Sequence, residues 1–303
     1  MKRILYSIAF IAVAAAALVS CSKESNDIAL DGFTKDQIVF LTKSGDEPVT
    51  KATGVSEVTL DNLNGFNVIA MSGSTTEWTG TFSKDGSKYK GGKYWPASDP
   101  NYTFYASNAA GNAAMSAGSI TVTNTDLDVV SAYLPGATYK AENTLTFNHI
   151  FAQLGFVTMK APEGYDVTNL RVKINPIYSG TYNMVSGSWS SLGAASGDTY
   201  IFGSAAAGAT LSNGAAATSG DNDIWLLPGA YVVTASYTIS KGSYSKDFTK
   251  SANVTLLMGN NNNLVLPGAN HDEPNIPVPD DISDIIFTVS VTPWNENDIP
   301  VTF

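Results

Sequence analysis

Cysteine occurs once in the 303 residues, at Cys21, and histidine twice, at His149 and His271. A single thiol builds no disulfide framework, so stability has to come from buried surface. The chain contains no His-Glu-x-x-His metal helix and no Gly-x-Ser-x-Gly nucleophile elbow. His149 lies in an alternating apolar segment, where a hydrogen-bonded structural histidine is expected, and His271 sits in an acidic stretch and reads as solvated. Residues 86–93 approach a phosphate loop in outline, but Gly92 holds the position that requires lysine, and no Ser or Thr follows in register. No catalytic, cofactor-binding or metal-ligating set emerges, and an enzyme is not expected. Arginine is nearly absent, at Arg3 and Arg171 alone, and the net charge is −10. Phosphate backbones require basic patches, which excludes nucleic acid as a partner.

Long apolar runs are also missing, with one exception. Residues 4–19 form a run of 16 behind Lys2 and Arg3, whereas a bilayer-spanning helix needs roughly 20. A short run with basic residues ahead of it and small residues behind it reads as a secretory signal. Its end, Leu18-Val19-Ser20-Cys21, resembles a bacterial lipoprotein signal. That resemblance implies lipidation of the Cys21 sulfur, cleavage that leaves Cys21 first, and a mature chain held outside the cytoplasm on a membrane. Each buried CH₂ of such a lipid adds about 0.8 kcal/mol to anchoring. Loss of Lys2 and Arg3 would take the net charge from −10 to −12.

The remaining 283 residues suffice for two domains at roughly 100–200 residues each. Charged residues make up only 15%, glycine is frequent at 26, and no segment after the signal sustains an apolar stripe at helical spacing. Strands joined by tight turns are expected. Residues 37–42 are the first candidate, with Ile38 and Phe40 on one face and Val39 and Leu41 on the other, so this strand should be covered on both sides. Residues 43–53 break the pattern as an exposed polar loop. In residues 231–239, Tyr231, Val233, Ala235, Tyr237 and Ile239 alternate with polar neighbours, the pattern of a half-buried strand. Asn260 to Asn263 read as a turn, because asparagine tolerates left-handed backbone. Trp78 lies in a polar stretch and offers a surface for sugar stacking, although tryptophans beside apolar strands more often belong to a core. The pattern predicts an all-β chain of two β-sandwiches: residues 37–160 and 161–303, after a signal (1–20) and a spacer (21–36). The boundary falls near Ala161-Pro162-Glu163-Gly164. A stiff proline-rich acidic linker (267–281) leads to a terminal arm (282–303), in which Ile285, Phe287, Val289 and Val291 share one face.

Several landmarks recur in one order. After the Cys21 signal come Ile38-Val39-Phe40 and Thr50-Lys51-Ala52, then Tyr94-Trp95-Pro96 ahead of Tyr102-Thr103-Phe104-Tyr105-Ala106, and Leu145-Thr146-Phe147-Asn148-His149 leading to Gln153-Leu154. Gly187-Ser188-Trp189, Leu226-Leu227-Pro228 and Ile286-Phe287-Thr288-Val289-Ser290-Val291 with Trp294 follow. In these the chain resembles the fimbrillin-like (Mfa-like) lipoproteins of Bacteroidales, subunits of type V pili. The resemblance implies two transthyretin-like β-sandwiches, export as an outer-membrane lipoprotein, proteolytic removal of an N-terminal strand and polymerisation by strand exchange. Carried onto this chain, Lys51 precedes the cut and Ala52 follows it, the displaced strand holds Ile38, Val39, Phe40 and Leu41, and the donor strand holds Ile285, Phe287, Val289 and Val291. The family's usual cleavage site is Thr-Arg-Ala, so Lys51 departs from it. Expected partners are other pilus subunits, the outer membrane through the lipid, and a ligand on a host or bacterial surface. The alternative is a non-polymerising outer-membrane lipoprotein that binds glycan or protein.

Overall fold

Alternating aromatic and aliphatic residues drive the first half of the chain to close on itself. In the computed structural model, which describes residues 37–44, 58–212, 215–219, 224–266 and 288–293, no helix occurs among the described residues. Seven strands form a closed barrel: β1 (Gln37–Ser44), β2 (Gly65–Ser72), β3 (Thr75–Asp85), β4 (Lys88–Tyr94), β5 (Tyr102–Ser107), β8 (Val130–Leu134) and β9 (Asn143–His149), in the order β1-β4-β3-β2-β5-β8-β9. On β5, Tyr102, Phe104 and Ala106 point inward and Thr103 and Tyr105 outward, the period of two that a pleated strand imposes. The barrel core gathers Phe40, Phe66, Phe82, Phe104, Leu145 and Phe147 from β1 and four of the other strands. The hairpin between β3 and β4 turns at Gly86, whose φ of 63° is one that side-chain-bearing residues adopt at a cost.

The second half is a two-sheet sandwich. One sheet orders β16 (Ala216–Thr218), β10 (Ala152–Lys160), β20 (Asn260–Leu266) and β21 (Thr288–Pro293), with β17 (Ile224–Leu226) also on β10. The other orders β14 (Thr199–Phe202), β11 (Asp166–Ile174), β18 (Gly229–Lys241) and β19 (Tyr244–Leu256), with β15 (Ala209–Leu211) also on β11. Leu154, Met159, Val172, Val233, Tyr237 and Leu264 meet in the core between them. Within β18 the inward face is Tyr231, Val233, Ala235, Tyr237 and Ile239, and Thr234, Ser236 and Thr238 are half-exposed, as their alternation requires. Burial pushes the Tyr231 hydroxyl up to about 12 and raises Tyr237 further.

All pairing of β10 is with strands of the second half. The chain therefore passes from barrel to sandwich at Ile150-Phe151, ahead of the Pro-Glu-Gly stretch at which the sequence pattern breaks. A further sheet joins the halves. It orders β13 (Ser188–Ser190), β12 (Gly180–Asn183), β7 (Ser119–Val122) and β6 (Ala113–Ser116), so β7 of the first half pairs with β12 of the second. Beneath it Ile120, Ile150, Phe151, Tyr182, Trp225 and Leu227 form a third core, and Trp189 Nε1 donates to the Ile150 carbonyl at 3.0 Å.

One local expectation is corrected. Asn260 to Asn263 are strand residues of β20, because Gly259, with φ of 70°, takes the turn one step earlier. Asn262 is fully buried, donating to the carbonyls of Gln153 and Asn260, while its oxygen accepts from the Leu257 amide. Opposite, Gly155 leaves room for the side chains of Asn261 and Asn263, whose oxygens lie 2.3 and 2.6 Å from where its Cβ would stand. Trp78 packs on the barrel, with its ring 5.7 Å from that of Phe104 and edge-on to Tyr102 at 6.1 Å, so it is not a free stacking platform.

Candidate assembly site

β1 is held from both sides. It runs antiparallel to β4, with Val39 opposite Lys90 and Phe40 opposite Tyr89, and parallel to β9, with Phe40 opposite Asn143 and Ser44 opposite Phe147. Without β1 the barrel would present two open edges, β4 and β9, each with a row of unpaired backbone groups. Ile38, Val39 and Phe40 are buried and Leu41 is half-buried. The Phe40 ring is the hub of the core, at 4.9 Å edge-on to both Phe82 and Phe104 and 6.3 Å from Phe66.

The walls of this slot are shaped to fit β1. Tyr89 is buried across from Phe40 and donates to the Leu63 carbonyl at 2.6 Å. Burial raises its hydroxyl above the ordinary value, partly opposed by a hydrogen bond with Thr42 of β1. Gly91 on β4 brings backbone close to the core, since a Cβ there would stand 2.7 Å from both the Phe82 ring and the Thr81 carbonyl oxygen.

The chain leaves β1 at Ser44, opposite Phe147, and the described residues resume at Val58 near the same end of β9. There the Val58 amide donates to Asp128 Oδ2 at 2.8 Å. The Asp128 side chain is fully buried, and His149 Nδ1 lies 3.0 and 2.9 Å from its two oxygens. His149 is thus a structural residue. Asp128 and Tyr89 are the contributors that sequence reasoning missed. For Asp128 the available signal is a carboxylate set directly before the apolar pair Val129-Val130.

Of the residues assigned from the sequence, Ile38, Val39, Phe40 and Leu41 all lie in β1. Cys21, Lys51, Ala52, Ile285 and Phe287 lie outside the described residues. Val289 and Val291 belong to β21, opposite Leu264 and Asn262 of β20. β21 is an edge strand of its own sheet and does not pair with the barrel, so displaced and donor strands are not brought together within one chain. Among the described residues no group of three or more His, Cys, Asp or Glu is placed to hold a metal ion, and no helix is long and apolar enough to cross a membrane.

A family model described as fimbrillin-like matches residues 30–294. Among solved structures, a candidate cell adhesion protein from Bacteroides ovatus is similar at 13% identity and a TM-score of 0.43, over 88% of this chain and 99% of that one. A second from Bacteroides eggerthii stands at 12% and 0.41, over 85% and 95%. A fimbrilin from Porphyromonas gingivalis stands at 12% and 0.42, over 86% and 98%. No curated protein matches the chain.

Proposed function

Because this chain belongs to the fimbrillin-like family, we propose that it is a structural and adhesive subunit of a cell-surface pilus, assembled when β1 is cut away and a neighbour's C-terminal arm takes its place. Family membership makes it a pilus or surface-adhesin protein and not an enzyme. The observation that carries the finer reading is the position of β1, an inner strand with three buried side chains whose loss would leave an apolar slot between β4 and β9.

The energetics explain why a cut must come first. Ile38, Val39 and Phe40 contribute roughly 5–9 kcal/mol gross at ~1.5–3 kcal/mol each, and β1 is tethered to its own barrel. Ile285, Phe287, Val289 and Val291 would bring a comparable ~6–12 kcal/mol from a neighbour, but an incoming arm also bears the entropy of association. Like exchanged for like, the tethered strand wins until proteolysis frees it. We assign the cut to Lys51, leaving Ala52 at the new N-terminus, and the membrane attachment before assembly to lipid on Cys21. The partners are further pilus subunits and, through the lipid, the outer membrane. The two halves act as two β modules, the barrel up to β9 and the sandwich from β10 onward.

A second reading, a surface lipoprotein that never polymerises, has its own support, since β21 rests on β20 of the same chain. The two separate in one experiment. Deleting residues 282–303 should leave a folded, lipidated subunit that cannot extend a pilus, and a Phe287→Asp change should block extension while Thr288→Asp does not. Normal polymer from the truncated chain would rule out the donor arm.

A further inference from the structure

The seam between barrel and sandwich encloses a cleft of about 400 Å³, within the range of small-molecule sites. Tyr133 on β8, Thr146 and Asn148 on β9, Ser186 in the turn after β12, and Met258 in the turn after β19 line it. We propose that this cleft binds a neutral saccharide, a hexose or N-acetylhexosamine unit of a surface glycan. The assignment deepens the adhesive part of the function proposed above and rests on it for its biological setting.

Charge selects the ligand class first. Although the chain carries a net charge of −10, no Lys, Arg, Asp or Glu lines the cleft among the described residues. An anionic sugar or a phosphate would find no cation there, and a cation would find no carboxylate. His149 touches the cleft, but its Nδ1 is tied to the buried Asp128 carboxylate. What the walls do offer is hydroxyl and amide groups interleaved with apolar surface, which matches a pyranose, whose hydroxyls ring two largely C–H faces. Tyr133 supplies an aromatic ring, itself braced by Tyr105 at 5.3 Å in a stacked pair, and aromatic rings pack well on such apolar faces. Val185, among the exposed large apolar side chains, stands at the cleft beside Ser186 and adds a contact for an acetamido methyl group.

The walls are built before any ligand arrives. The Asn183 side-chain oxygen accepts from the amides of Val185 and Ser186, each at 2.9 Å. The Met184 amide donates to the Gly118 carbonyl at 2.9 Å, and the Gly259 amide to that of Phe151 at 2.7 Å. Turns fixed in this way need little further ordering on binding, which lowers its entropic cost.

The test uses the full mature chain, made soluble by Cys21→Ser and left unpolymerised, so that failure to bind sugar would leave the assembly reading untouched. Saturation-transfer NMR and calorimetry would be run against methyl hexosides, methyl N-acetylhexosaminides and, as the anionic comparison, methyl sialoside. At least one neutral glycoside should bind in the millimolar range, and Tyr133→Ala and Asn148→Ala should each weaken it about tenfold. Because Tyr133 is half-buried, a Ser186→Trp variant at the exposed turn serves as the second probe, filling the cleft and abolishing binding with the melting temperature unchanged. Binding to none of the neutral glycosides, preference for the sialoside, or full binding by Ser186→Trp would each overturn the assignment.

Discussion

Replacing Phe40 by alanine asks how firmly β1 is seated. The ring is fully buried and meets Phe82 and Phe104 edge-on at 4.9 Å, so truncation empties the middle of the barrel core rather than its margin. Losses of this kind cost about 3–5 kcal/mol, the transfer term plus the cavity left behind. At about 1.4 kcal/mol per factor of ten, the unfolded-to-folded ratio of the barrel rises by roughly two to four powers of ten. Lys43, exposed on the same strand, is the control, and its alanine variant should stay within about 0.5 kcal/mol of the parent. Urea unfolding of the unprocessed chain, followed by tryptophan fluorescence, measures both. The assembled form supplies the second half of the test, since a subunit that has shed β1 should be indifferent to residue 40. Two results would refute the reasoning: an unprocessed Phe40→Ala protein within about 1 kcal/mol of the parent, or a polymer whose unfolding shifts with the substitution.

Other consequences follow from single residues. Cys21→Ala should abolish fatty-acid labelling and release the protein from the membrane fraction, and unchanged membrane retention would disprove the lipid anchor. Asp128→Ala removes the acceptor of the Val58 amide and the hydrogen-bond partner of His149; leaving buried polar groups unsatisfied costs about 1–3 kcal/mol each, seen as a lowered urea midpoint and faster hydrogen exchange at Val58. Burial holds the folded-state pKa of Tyr237 above the ordinary 10.0, so above pH 10 the unfolded chain gives up a proton that the folded chain keeps, and stability falls as pH rises. Since the Tyr237 hydroxyl has no hydrogen-bond partner among the described residues, Tyr237→Phe should be near neutral at pH 7 and should move the alkaline unfolding midpoint upward.

Strand content was legible wherever one face meets water and the other a core. Tyr231 to Ile239 is the clearest instance, and β1 announced itself by being apolar on both faces. Pairing partners were not legible, because alternation says which residues turn inward and nothing of which strand lies beside which. The parallel contact of β1 with β9 and the adoption of β10 by the second half are long-range choices of that kind. In the seam sheet the runs Ile120 to Thr123 and Gly180 to Asn183 were readable as strands, whereas β6 and β13, of four and three residues, are too short for a period to emerge, and the pairing of β7 with β12 is again a long-range choice. Asn260 to Asn263 misled for a local reason: asparagine favours turns, but Gly259 meets the turn's need more cheaply and Gly155 opens space for two of the asparagine side chains. In the assembly site, the buried residues of β1 were readable as hydrophobic, whereas the Asp128 contact to Val58 spans 70 positions and exists only once the barrel has closed.

The most direct measurement is the intact mass and N-terminal sequence of the subunit taken from purified surface polymer. The account predicts a chain that begins at Ala52 and lacks β1 altogether. A polymer whose subunits begin at Cys21 and retain Ile38, Val39 and Phe40 would contradict it.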